Sequence, residues 1–211
     1  MSFVHLATTV SLPASTAGFA PLAVGFFGLG TGYFIYGPQE LFGFPKRDKK
    51  VDVATGLWGV WMPGFMQFFT GIYLFAGLVL FGTLSAKPLY VAGLAFTAYG
   101  IHWFAIGMNR ALGADSRPNA FMSITFTLIS ILGVFVFFKA PEAVGGGSAD
   151  WPVGLLFIGL SLIYISDFFA SLGSSTGLKA LGFWHLLTGA WLMYLTWSTA
   201  LDFALGYHLP L

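Results

Sequence analysis

The sequence predicts an all-α membrane protein with six transmembrane helices, and three observations carry that prediction. Of its 211 residues, 57% are hydrophobic and 8% charged, where a soluble domain carries roughly a quarter charged residues. The apolar residues fall into separate segments, each near the ~20 residues that a helix needs to cross a bilayer. A barrel would instead alternate apolar and polar residues over strands of about ten. Cysteine is absent, so disulfides and thiolate metal sites are excluded, and the net charge of +1 gives no footprint for nucleic acid.

No basic residue precedes the apolar part of MSFVHLATTVSLPAS, so a signal peptide is not expected, and residues 1–16 read as a short leader ending at the first span. The six-helix domain is expected over residues 17–205, with residues 206–211 as a short tail. The first span runs from about Ala17 to Tyr36, with Pro21 near its start, where a missing N–H is harmless. Gly25, Gly28 and Gly32 share a face, and small residues there let a second helix approach closely. The stretch from Gly37 to Thr55 is the most polar of the chain, contains PKRDKK, and reads as a solvated loop beside the membrane.

The second span covers about Leu57 to Phe81. Pro63-Gly64 within it should kink or locally open the helix. One turn later stands Gln67, free to reach a released carbonyl, bond across to another helix or offer its amide to a solute. The third span, about Leu89 to Met108, leads into a loop from Asn109 to Asn119. The fourth, about Ala120 to Phe138, holds Ser123, Thr125, Thr127 and Ser130, all able to bond back to the preceding turn. A loop from Lys139 to Asp150 contains Gly145-Gly146-Gly147. The fifth span is Trp151 to Ser171, with Asp167 near its end, and the sixth runs from about Leu181 to Leu201.

The third span is the most informative. Phe96, Tyr99 and Trp103 fall at i, i+3 and i+7 on one face, and His102 lies beside them. An ionisable group at mid-membrane is costly, so this helix is expected to face protein or a narrow pathway. The other intramembrane titratable groups are His185 and Asp167. Imidazole titrates near neutral pH, so His102, His185 and Asp167 are candidates for proton handling. The alternative for the two histidines is ligation of a haem or metal in a small redox subunit, but no carboxylate sits at ligand spacing. No cofactor and no metal are therefore expected. The basic residues are unevenly placed. Lys46, Arg47, Lys49, Lys50, Arg110, Arg117 and Lys179 fall in odd-numbered loops, against Lys87 and Lys139 on the side of the termini. By the positive-inside rule the termini face outward.

No HExxH, GxSxG or P-loop lysine motif occurs, so catalysis is not expected. With so little charge in the membrane, the expected work is passive or secondary transport of a small solute. A path lined by Phe, Tyr and Leu would filter by size and gate by dewetting. A weak acid suits that path better than a hydrated metal ion.

Several motifs sharpen this. Ala20-Pro21-Leu22 is followed by Phe27, and Gly64, Gln67 and Gly71 keep fixed spacing. Ala95-Phe96-Thr97-Ala98-Tyr99-Gly100 has Trp103 in register, Pro118-Asn119-Ala120 precedes the fourth span, and Gly182 and Gly189-Ala190 mark the sixth. This pattern resembles the acetate uptake transporter family, which includes bacterial acetate/succinate–proton symporters and fungal acetate and ammonia-export proteins. The resemblance spans about Gly18 to Gly206. It implies a multi-pass protein of the cell membrane, the inner membrane in a bacterium, assembled as a homo-hexamer with one pathway per protomer and with cytoplasmic termini, opposite to the orientation that the basic residues give. It further implies a constriction of Phe27, Tyr99 and Leu160, with Gln67, Thr97 and Trp103 contacting a small monocarboxylate such as acetate, with succinate as a further substrate, moved with a proton. Three readings stay open beside it: a pH-gated channel for urea or ammonia, the redox subunit, and a structural scaffold in the bilayer.

Overall fold

The computed structural model describes residues 20–143 and 150–210, and among these every regular element is helical. The leader, the start of the first span and the triple glycine of the fourth loop lie outside the described residues. Helix α1 spans Ala20–Phe42, α2 Lys49–Gly59, α3 Met66–Phe75, α4 Leu89–Leu112, α5 Arg117–Ala143, α6 Trp151–Ser171 and α7 Ser175–Leu205. A π-helical turn, Val60–Phe65, joins α2 to α3, and a second one, Ala76–Leu80, extends α3. One rod therefore runs from Lys49 to Leu80, and six rods alternate in direction.

The expected boundaries move outward at several ends. Helix α1 does not stop at Tyr36 but continues through Pro38 to Phe42, so Gln39 and Glu40 are helical and not part of a loop. The stop comes at Gly43, whose φ of 72° is open to glycine without strain and whose N–H bonds back to Gln39 O at 3.0 Å. Asp48 then caps α2 by accepting from Lys50 N and Val51 N at 2.8 and 2.9 Å. Helix α4 runs to Leu112 and closes at Gly113, φ 69°, which turns the expected loop at Asn109 into helix. Helix α7 begins early, at Ser175, under the cap of Ser174. The fifth span keeps its expected bounds, Trp151–Ser171. At Pro63, where no N–H exists to continue the α-ladder, the helix opens into the π turn.

Four rods, Lys49–Leu80, Leu89–Leu112, Arg117–Lys139 and Trp151–Ser171, are long and apolar enough to cross a membrane. Helices α1 and α7, at 23 and 31 residues, match them in length, and each carries glycines along its inner side. Those glycines form the seam on which α1 packs against α7. Gly30 meets Gly189 and, seven residues on, Gly37 meets Gly182, as antiparallel helices require. A Cβ on Gly182 would stand 2.5 Å from Leu41 N and 2.9 Å from Glu40 Cβ. The Gly28 and Gly32 face packs against Met66 and Pro63 of the second rod, so this stripe serves helix contact. Large apolar side chains such as Trp61, Phe65, Phe69, Phe121, Leu128 and Phe135 point outward. A face of this kind suits lipid or neighbouring subunits, and the chain is a multi-pass membrane protein.

Candidate functional site

Three rods that run in the same direction, α1, α4 and α6, each present a stripe at helical spacing to the centre of the bundle. On α1 it reads Leu22, Phe26, Leu29, Tyr33, Tyr36 and Glu40. On α4 it reads Ala92, Phe96, Tyr99, Trp103, Ile106 and Arg110, and on α6 Val153, Leu156, Leu160, Tyr164, Asp167 and Ser171. The first half of each stripe lines one cavity and the second half lines another. Because the three helices are parallel, the two cavities lie at opposite ends of one axis.

The smaller cavity, about 30 Å³, is walled by apolar side chains from Leu22, Phe26 and Leu29 to Leu156, Phe157 and Leu160. Gln67 is fully buried on this wall, and neither its Nε2 nor its Oε1 has a hydrogen-bond partner. Of the three roles open to that side chain, a free carbonyl and a partner helix are not taken. Asp150 stands at the mouth as the N-cap of α6 and accepts from Val153 N. Burial pushes its carboxyl above the usual carboxylate range, and the Val153 N–H opposes that shift.

The larger cavity, about 250 Å³, is polar and holds Glu40, Arg47, His102, Asn109, Arg110, Asn119, Asp167 and His185 among its walls. Glu40 Oε2 faces His185 Nδ1 across the α1–α7 seam, with the two side chains 11% and 7% exposed. Asp167 accepts from Ser123 Oγ at 2.7 Å and Ser171 Oγ at 3.0 Å. The back-bonding expected of α5 is present at Ser123, Thr125, Thr127 and Ser130, each within 2.8 Å of a carbonyl in the preceding turn. Arg110 stacks on Tyr36 at 4.6 Å and donates to Asp52, which also receives Arg47. This network ties the basic loop to α4.

Between the cavities lies an aromatic layer of Tyr33, Tyr99, Trp103 and Tyr164, each buried. Tyr99 and Tyr164 stack at 5.5 Å, and Tyr33 and Trp103 approach to 5.9 Å. Two hydroxyls of the layer are engaged: Tyr99 with Ser130 Oγ at 2.9 Å, and Tyr164 with His102 Nδ1 at 3.3 Å. His102 Nε2 has no partner.

Of the residues singled out from sequence, the structure brings Gln67, Tyr99 and Leu160 together on the smaller cavity. It gathers Trp103, His102, His185 and Asp167 on the larger one. Asp167 is half-buried on that cavity wall and bonded to two serines. Two expected pathway residues stand elsewhere. Phe27 is 43% exposed on the outer face, whereas Phe26, at 2%, lines the cavity. A helix turns about 100° per residue, so a register error of one moves a side chain from the lumen to the outside. Thr97 lies at the α3–α4 seam against Gly71. Sequence reasoning missed Phe26, Tyr33, Tyr164, Arg110 and Glu40. For α1 the signal was present, since Phe26, Leu29, Tyr33, Tyr36 and Glu40 keep spacings of three and four.

Among the described residues, no group of three or more His, Cys, Asp or Glu side chains is placed to hold a metal ion. No family model and no curated protein matches the chain. Among solved structures, the fold is similar to that of the bacterial acetate channel SatP, with a TM-score of 0.63 and 20% identity over 90% of this chain and 96% of that one. The likeness is one of fold.

Proposed function

We propose that the chain is a channel or secondary transporter for small monocarboxylates of the acetate kind, moved together with a proton. Its acting form is a homo-hexamer with one pathway in each protomer. The observation that carries this reading is the aromatic layer closing a continuous axis between a polar and an apolar cavity. Two cavities divided by one thin, buried layer are the geometry of a gated path. The fold likeness to a bacterial acetate channel supports the same reading.

The physical chemistry of the lining narrows the solute. A carboxylate finds hydrogen-bond donors in the larger cavity, but a bare anion moved into the smaller one would lose its hydration with no cation to replace it. Gln67 offers one donor pair and one acceptor there, which suits a neutral acid. The gate is formed by Phe26, Tyr99 and Leu160, with Tyr33 and Tyr164 behind them. His102, His185 and Asp167 handle protons on the polar side.

A second reading has an observation of its own. The unpartnered amide of Gln67 in an apolar slot also suits a neutral solute such as urea or ammonia. The haem reading is disfavoured by packing. Trp103 stands in ring contact with both His102 and His185, at 6.1 and 6.4 Å, where a flat macrocycle between them would have to pass.

The test is uptake of labelled acetate and labelled urea into proteoliposomes, with and without an inward proton gradient, against protein-free vesicles. Acetate entry above the protein-free rate, stimulated by the gradient, supports the carboxylate reading. Urea entry without acetate entry replaces it with the neutral-solute one, and silence for both removes transport of either.

A further inference from the structure

Helices α1 and α7 pass close together where Gly37 meets Gly182, with Glu40 one turn to one side of that contact and His185 one turn to the other, and the carboxylate and imidazole reach across it to each other. Glu40 Oε2 and His185 Nδ1 form a hydrogen-bonding pair inside the bundle, and both residues line the larger cavity. The imidazole is stacked on Tyr33, with ring centroids 4.5 Å apart, so the pair sits directly against the closing layer. It is the carboxylate–imidazole pair of that cavity. The other charged groups there have different partners: Asp167 is held by Ser123 and Ser171, while Arg47 and Arg110 share Asp52. The groups around the pair are Tyr33 on its own helix, Arg47 after it, His102 and Arg110 on α4, and Tyr164 and Asp167 on α6.

Resting on the carboxylate reading above, we propose that the Glu40–His185 pair is the proton-holding group of this pathway. It protonates the anion in the larger cavity, and the substrate crosses the aromatic layer as the neutral acid. In the step, an N–H bond of the pair breaks and an O–H bond forms on the substrate carboxylate. The negative charge moves from substrate to pair. A proton from water in the cavity then restores the pair. Past the layer, the acid ionises into water on the far side, so one anion and one proton have crossed with no net charge.

The experiment uses the full chain in proteoliposomes with acetate as probe, an internal pH dye and a clamped potassium diffusion potential. For the wild type, protein-dependent acetate flux is expected to ignore the imposed voltage and to carry one proton per acetate. Glu40→Gln and His185→Gln are expected to lose flux at neutral pH by about tenfold or more. Both should recover as the external pH is lowered, because acid already protonated in bulk bypasses the pair. A packing defect would show no such recovery. Wild-type flux that follows voltage would overturn the proposal without any variant, and so would variants that keep the full neutral-pH rate. No wild-type acetate flux above protein-free vesicles would remove the functional reading itself, and the pair's role with it.

Discussion

The two cavities are built from the same three helices, yet they solvate charge in opposite ways. The larger one is ringed by carboxylates, imidazoles, amides and two guanidinium groups, whereas the smaller has apolar walls broken by one amide and one carboxyl at its mouth. A single helical turn separates them, from Leu29 to Tyr33, from Tyr99 to Trp103 and from Leu160 to Tyr164. The difference teaches where discrimination resides. If the proposed path is followed, any small polar solute can gather in the larger cavity, and what passes is decided by which species tolerates the smaller one. On the proposed reading, size is set by the aromatic layer and charge by the wall beyond it.

The largest effect is expected where the comparison depends on helical register. Phe26→Ala would empty a buried site on the apolar side and cost about 3–5 kcal/mol by analogy with other core phenylalanines. It should also widen the path, so that propionate and butyrate gain on acetate. Phe27→Ala, on the outer face, should leave size selection where it is. Competition by longer acids in vesicle uptake, with thermal melts in detergent, checks both. Relaxed selection in Phe27→Ala alone would place the lumen on the other face of α1.

A second pair of variants puts the same charge into each half. Leu156 lines the smaller cavity and Leu181 the larger, and both are buried. Leu156→Asp introduces a carboxylate among apolar walls with no cation to balance it, at a cost of about 2.5–3.5 kcal/mol on insertion scales. Leu181→Asp loses the packing of a buried leucine as well, about 2–5 kcal/mol for such a truncation, but its carboxylate faces the polar wall of the larger cavity and adds a smaller charge penalty than in Leu156→Asp. Flux should fall steeply in the first variant and little in the second. Equal losses would mean that the smaller cavity is as well hydrated as the larger, and the division by charge would be lost.

How much of this was legible beforehand can be read from particular residues. Helix count, the π opening at Pro63 and the back-bonding serines of α5 follow from local chemistry, which a sequence displays. Tyr99 stands on a stripe that spacing reveals, whereas Leu160 was expected only from the family resemblance, and both line the smaller cavity. Glu40 was hidden because the polar stretch from Gly37 reads as a loop, although here the helix passes through Pro38 to the glycine that stops it. The pairing of Glu40 with His185 could not be read at all. It depends on the seam that sets Gly37 against Gly182, a contact between residues 145 positions apart for the pair itself. Phe27 shows the opposite limit: a motif fixed the neighbourhood, and a turn of one residue decided the face.

The smallest effect is expected at Asp150, the only carboxyl lining the smaller cavity among the described residues. Burial raises its pKa above the ordinary value, so the folded state favours the protonated form. Its contribution to stability is therefore full below the ordinary carboxylate range and is lost as pH rises through the raised folded value. Asp150→Asn keeps an equally good helix cap over Val153 N and does not titrate. Relative to the wild type, the variant should melt no lower at neutral pH and lose its advantage in acid, as scanning fluorimetry across that window would record. A carboxylate at this mouth also repels an anion but not an acid. If the crossing species is neutral, Asp150→Asn leaves the neutral-pH acetate rate unchanged, whereas a rise in that rate would show that the anion itself reaches this end of the path.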